Sequence, residues 1–272
     1  MKKPIKVILT TAVLVFILSL SAAAPWIAPH DPNTINMAAR LRGPGDVYPW
    51  GTDSLGRDLL SRVLYGGRES IVLALIATSL SMLMGLLIGM LSGYFEGPFD
   101  WFFNIIASIF QGIPDLCFLV ALVGILGGGI GAVLTGLVLK SWVGFSRIVR
   151  SEVMKLRRES YVDAARTAGA RPLRILFSDI LPNILGNVAV LFSSRLGGVI
   201  LSVASLSFLG LGIQPPTPDW GVMVNDARSY FRLYPLLVLA PGGCIFALSV
   251  SLNILGDILR DRIDVRFDEF LS

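Results

Sequence analysis

Residues 161–182 read Tyr-Val-Asp-Ala-Ala-Arg-Thr-Ala-Gly-Ala-Arg-Pro-Leu-Arg-Ile-Leu-Phe-Ser-Asp-Ile-Leu-Pro, a basic, helix-forming stretch in a chain that is otherwise largely apolar. Ser160 just ahead can cap a helix, with Asp163 three residues on to complete a capping box. Ala164, Ala165 and Ala168 are strong helix formers, and Gly169 supplies a left-handed stop. The spacing predicts a helix over 160–169, ~15 Å long at 1.5 Å per residue, and a second helical stretch from Pro172 toward Leu181. The small alanines permit close approach by another surface, while Arg157, Arg158, Arg166 and Arg171 add exposed charge. Taken alone, this describes a basic inner loop that any polytopic protein can carry.

The surroundings are those of a membrane protein. Of 272 residues, 54% are apolar and only 15% charged, with a mean hydropathy of +0.71; a soluble domain carries about a quarter charged residues. The charges are also segregated, leaving long uncharged runs, which indicates an all-α polytopic fold. The net charge of +4 gathers at membrane boundaries and gives no basis for a nucleic-acid partner. Cys117 and Cys244 lie in separate apolar runs and read as packing residues.

About six spans are expected, at 7–28, 70–95, 99–125, 131–147, 180–204 and 234–256. The first holds 22 uncharged residues, enough for a core of ~30 Å. Ser21-Ala22-Ala23-Ala24 also resembles a signal-peptidase site; length and the following Pro25 favour an uncleaved first span. Residues 99–147 are too long for one helix, and Leu126-Gly127-Gly128-Gly129-Ile130-Gly131 marks the break, with a kink expected at Pro114. Lys2, Lys3, Lys6, Arg150, Lys155, the arginines of 157–174, Arg260, Arg262 and Arg266 fall on one side. That bias predicts cytoplasmic termini. The expected organisation is a first transmembrane helix (1–28), an extracytoplasmic segment (29–69), a transmembrane core (70–260) with a cytoplasmic loop (148–179), and a cytoplasmic tail (261–272). Within 53–64, Leu55, Leu59, Leu60, Val63 and Leu64 recur near helical spacing, which predicts a short amphipathic helix lying on the outer membrane surface.

The ordered set Asp163, Ala164, Ala165, Gly169, Leu181 and Pro182 resembles the EAA loop of ATP-binding-cassette importers, with Asp where Glu is usual. Other blocks agree in order: Trp50-Gly51-Thr52-Asp53-Ser54-Leu55-Gly56-Arg57-Asp58, Ile180-Leu181-Pro182-Asn183, Leu206-Ser207-Phe208-Leu209-Gly210-Leu211-Gly212, Pro215-Pro216-Thr217-Pro218-Asp219-Trp220-Gly221, and Asn253 with Gly256-Asp257. Together they resemble permeases of the peptide/nickel branch of binding-protein-dependent importers. The chain departs from that pattern at Ile105 and Ser108, where an Arg and an Asp are usual, at Val203, and at Val265.

The resemblance implies a type I importer fold and a non-catalytic subunit. It also implies a second homologous permease, two ATPases binding ATP and Mg, and an extracytoplasmic binding protein. Tyr161, Asp163, Ala164, Ala165, Gly169, Arg171, Leu181 and Pro182 would couple to the ATPase. Asp53, Arg57, Asp58, Asp219, Trp220 and Asn225 would meet the binding protein, although Gly and Asp there also read as plain turn and cap residues. Trp220 reads as an interfacial anchor as well.

Polar groups at membrane depth are candidates in their own right. Arg195, Lys140, Asn104, Gln111 and Asn253 are pathway candidates, with snorkelling or an inter-helix pair the alternative for Lys140 and a subunit-interface pair for Arg195. No Gly-x-x-x-x-Gly-Lys-Ser/Thr occurs in the sequence, so no phosphate cradle is encoded. One His and scattered Met residues make no metal cage. Small peptides and nickel chelates stand level as cargo, and an uncoupled channel, a secondary transporter or an intramembrane enzyme are the competing classes.

Overall fold

The uncharged run that starts at Ser70 proves to be the middle of a much longer helix. In the computed structural model, which describes residues 2–270 and the side chains of residues 7–261, α1 spans Lys2–Ala22 and α2 spans Ala24–Ile27. After an irregular segment, α3 runs over Leu59–Phe95, 37 residues in one piece. The basic residues expected at the inner ends, Lys2, Lys3, Lys6, Arg262 and Arg266, lie outside the described side chains, as does Val265.

The surface helix expected over 53–64 does not form. Asp53 Oδ1 accepts the backbone N–H groups of Leu55 and Arg57, each at 2.9 Å, which holds residues 53–57 in a turn. Gly56 completes it at φ +73°, with a Cβ there meeting the Asn36 carbonyl oxygen at 1.8 Å. Asp58 then caps α3 by accepting from Ser61 N–H. Leu59, Val63 and Leu64 are buried against neighbouring helices rather than laid on lipid.

α4 (Gly97–Gly112) and α5 (Asp115–Ile125) meet at 94°, far beyond the kink expected at Pro114. Both Ile113 and Pro114 are extended, so two residues leave the helix rather than one bending it. α6 follows at Gly129–Leu156 and α7 at Ser160–Thr167. α8 (Pro172–Arg174), a π turn (Ile175–Ile180) and α9 (Leu181–Phe208) continue one another. α10 (Trp220–Ala227) and α11 (Leu236–Phe270) complete the chain. Among the described residues, four helices are long and apolar enough to cross a membrane, or five if the bent pair counts as one span. The described part of the first helix, Val7–Ala22, is apolar, and α2 prolongs it after Ala23.

Small residues let the long helices touch along their backbones. Ala77, Ser81, Gly85, Gly89 and Gly93 recur every fourth position of α3 and are all buried. A Cβ on Gly85 would lie 2.7 Å from Trp142 O, one on Gly89 2.5 Å from Ser146 O, and one on Gly93 2.8 Å from Arg150 O. This is the small-residue seam by which helices associate in lipid, where dispersion and close approach replace the hydrophobic drive. α9 and α11 approach similarly, Gly197 against Ser249 O and Gly256 against Ser194.

Candidate functional site

α6 ends at Leu156, and Arg157 pins the chain as it leaves. Its Nη1 donates to Tyr94 O at 2.8 Å and its Nη2 lies 2.7 Å from Glu96 Oε1, so the turn is fastened to the end of α3. α7 is then seated by Val162, which is fully buried, and by Ala165, in a cluster with Met90, Tyr94, Val153, Ile175 and Leu176. Asp163, Ala164, Thr167 and Ala168 stay exposed on its other faces.

The expected capping box is absent. Glu159 is the N-cap residue, without a side-chain bond, and Ser160 is already helical; Asp163 instead pairs with Arg166 at 3.0 Å. The Arg166 guanidinium also lies 5.6 Å from the Tyr94 ring centre. The stop is as expected. Gly169 sits at φ +79°, with Gly169 N–H donating to Arg166 O and Ala170 N–H to Ala165 O, the two bonds of a Schellman motif. Of the eight coupling residues, Tyr161, Asp163, Ala164, Gly169, Arg171 and Pro182 are exposed, while Ala165 and Leu181 pack inward. Burial and the nearby Glu159 push the Tyr161 phenol above its ordinary pKa, and Asn183 Nδ2 donates to its oxygen at 3.4 Å.

At the far end of α3 the loop segments close on one another. Arg57 Nε is 2.6 Å from Asp53 Oδ2, and its Nη2 is 3.5 Å from Asp226 on α10; Arg62 donates to Pro32 O at 3.0 Å. Asp219 caps α10 by accepting from Val222 N–H at 3.0 Å, and also accepts from Ser70 Oγ at 2.7 Å. Trp220 lies across Gly66 and Gly67 and donates its indole N–H to Val63 O at 2.8 Å.

Arg57, Asp58, Asp219 and Trp220 are all buried. Their side chains are taken up in holding the loops around the start of α3 together. Asp53 and the half-buried Asn225 also face the outer segments, with Asp53 engaged by Arg57.

Burial raises the Asp219 pKa despite its hydrogen bonds. Its folded value therefore lies above its unfolded one, so it binds more protons folded than unfolded. Stability should fall as pH rises from the ordinary carboxylate range through that raised value. Asp219→Asn should flatten this slope, while Asp219→Leu, which removes the cap, should cost about 1–2 kcal/mol. Thermal unfolding against pH in detergent checks both.

Residues 85–265 match the profile of the family described as binding-protein-dependent transport system inner membrane component. The chain belongs to that family.

The permease is 40% identical over 253 residues to the glutathione transport system permease protein GsiD of Salmonella typhimurium, a match covering 92% of this chain and 84% of that protein. To GsiD of Escherichia coli O157:H7 it is 38% identical over 258 residues, covering 94% and 85%. The inward-facing MetNI methionine ABC transporter superposes with a TM-score of 0.60 at 19% identity, covering 74% of the permease and 95% of that chain. A crystal structure of an amino acid ABC transporter gives 0.57 at 17% identity, covering 74% and 94%. The fold is that of ABC importer permeases, and the chain is the membrane component of a binding-protein-dependent ABC importer, which works with an ATPase and a binding protein.

Inside the permease, Lys140 is spoken for. Its Nζ donates to the carbonyls of Phe110 and, at 2.6 Å, Ile113, and lies 3.1 Å from Asp115 Oδ1. It thus caps the broken end of α4 and braces the start of α5, closer to the inter-helix pair than to a pathway lining. Lys140→Met should strand two carbonyls and cost about 1–3 kcal/mol, read as a lower melting temperature of the purified subunit.

Asn104 donates to Asp100 Oδ1 at 2.7 Å, and Asp100 pairs with Arg150 through both oxygens at 2.5 and 2.6 Å. That pair was not among the sequence candidates. Its signal was two opposite charges at the same end of consecutive, antiparallel spans. Gln111 is exposed, and Asn253 is exposed beside Gly197. Arg195 is exposed and lies against Gly144 of α6.

Proposed function

We propose that this permease is one of two related subunits enclosing a shared pathway, driven by two ATPases and supplied by an extracytoplasmic binding protein. Both termini are cytoplasmic, the chain itself performs no catalysis, and ATP and Mg bind to the ATPases. α7 is the part on which the ATPase pushes. The observation that carries this reading is the placement of α7 relative to the outer clamp. Val63, under Trp220, and Tyr94, under Arg157, stand at opposite ends of α3. Thirty-one residues of helix at 1.5 Å each separate them by ~47 Å, more than a ~30 Å hydrocarbon core. Clamp and α7 therefore belong on opposite sides of the membrane, and the lysine and arginine bias assigns α7 to the inside.

α7 also suits the task mechanically. It is short, closed by a rigid stop, seated on a buried cluster and bare on its outward faces. A load applied there reaches α3, α6 and α9 together and can drive a rigid-body change of access.

The cargo in this reading is a small peptide of the glutathione class, supported by two GsiD relatives close to 40% identical over nearly the whole chain. Calorimetry on the cognate binding protein, with glutathione, di- and tripeptides, Ni(II) and nickel chelates, tests it. Peptide binding is the expected result; nickel binding with no peptide binding would replace the cargo. In proteoliposomes of the full complex, loaded binding protein should stimulate ATP hydrolysis and uptake together. Uptake that persists without ATP would restore the channel reading.

A further inference from the structure

We propose that the face shared by α6 and α9 around Arg195 and Arg147 is a carboxylate-binding site within the pathway, fitted to peptides that carry a free carboxylate; this rests on the small-peptide reading. Lys140, Gly144 and Arg147 fall at i, i+4 and i+7 of α6 and so share one side of that helix. Arg195, from α9, lays its guanidinium on the middle of the three. A Cβ at position 144 would lie 2.8 Å from Nη2 and 3.0 Å from Cζ, so glycine makes the room that the guanidinium fills.

The charges on this face do not balance. Lys140 is fully engaged by two carbonyls and Asp115. Arg147 has one bond, from Nη2 to Ser108 Oγ at 3.0 Å. Among the described residues, neither Arg147 nor Arg195 has a carboxylate partner. Both arginines are exposed in the subunit.

Their depth makes this informative. Counting from Gly129 at 1.5 Å per residue, Gly144 lies ~22 Å and Arg147 ~27 Å along α6, inside a hydrocarbon core of ~30 Å. A guanidinium there avoids lipid and faces water or protein. Its fork of N–H donors matches a carboxylate through two parallel bonds. Space is available beside it, since Gly198, one turn along α9, has nothing within 4 Å of its Cβ position. A peptide carboxylate entering this space would meet two guanidinium groups with no acid between them.

The test uses the full reconstituted complex, with Cys117→Ser, Cys244→Ala and Gly198→Cys. Reaction of that cysteine is timed with a sulfonate-bearing and a trimethylammonium-bearing methanethiosulfonate. After correction for their intrinsic rates, the anionic reagent should react about tenfold faster, because a local positive field concentrates anions. Arg195→Gln should bring the ratio toward unity and Arg195→Lys should keep it. A ratio near or below unity with Arg195 present, or no reaction with either reagent, overturns the proposal. In parallel, uptake of glutathione is compared with that of its diamide, each normalised to its own affinity for the binding protein. The acid should be preferred, and the preference should vanish in Arg195→Gln; a preference unchanged by that substitution also overturns the site. If the parent complex admits neither form while the labelling ratio holds, the small-peptide reading fails and the anion-attracting face stands.

Discussion

Gly89→Leu is expected to abolish recovery of a folded subunit. The added Cβ would stand 2.5 Å from Ser146 O and 2.9 Å from Val149 Cβ. The first of these atoms is backbone and cannot rotate aside, so the two helices must part. Ordinary overpacking costs about 1–3 kcal/mol, and here the remaining leucine atoms would force α3 off α6 along several turns. Gly89→Ala should already cost about 1–3 kcal/mol. Gly131→Ala, where nothing lies within 4 Å, should be neutral or stabilising by up to about 1 kcal/mol from helix propensity. Fluorescence-detected size exclusion with a thermal ramp separates these outcomes, and a Gly89→Leu subunit that elutes and melts like the parent would refute the backbone seam.

Val162→Asp is expected to uncouple the importer without dismantling its spans. Val162 is fully buried among Tyr94, Val153, Ile175 and Leu176, and the described cluster that receives it is apolar. The introduced carboxylate can meet a partner only by turning out of the apolar seat toward Arg166, one turn on along α7, and burying it unpaired costs several kcal/mol. α7 is only eight residues long, so leaving its seat is cheaper than ionising inside it. Transport in proteoliposomes should fall at least about a hundredfold, corresponding to the loss of an interaction worth about 3 kcal/mol. Melting of the transmembrane region should change little. Arg171→Ala, on the exposed stretch after Gly169, gives the contrasting case: α7 remains seated and any loss reflects contact with the ATPase alone. Wild-type uptake by Val162→Asp would show that the seat carries no load.

What could be read from the residues divides by distance along the chain. α7 and its stop were legible because a Schellman ending depends on a few adjacent residues, and Gly169 is the one that can take φ +79°. Even there the first cap is shifted by one position, from Ser160 to Glu159, a difference of a single ψ angle. Leu59, Val63 and Leu64 were correctly read as one side of a helix, but periodicity cannot say whether that side meets lipid or protein. The Asp53 turn decides the matter by ending one element and letting Asp58 begin the next.

Longer-range partners were not legible. Pro114 marks a discontinuity in any helix, yet its 94° opening depends on Lys140 binding carbonyls about thirty residues earlier in the chain. Trp220 has the apolar body and single N–H donor that suit either a membrane interface or a buried slot. The slot consists of Gly66, Gly67 and the Val63 carbonyl, more than 150 positions away. The same applies to Asp219, whose acid was read as outward-facing and is enclosed with Ser70. The four-residue rhythm from Ala77 to Gly93 is visible in the sequence, while only the fold says which helix fills it.

The π turn at Ile175–Ile180 gives the long rod from Pro172 to Phe208 an expansion joint. A π turn holds about one residue more than the α turn it replaces, so losing a residue there would restore an ordinary helix and leave the azimuth of α9 unchanged. Losing one anywhere between Leu181 and Phe208 would spin every later side chain by about 100°, carrying downstream faces from pathway to lipid. A single-residue deletion is thus mechanically silent at one short interval of this rod and ruinous along the rest.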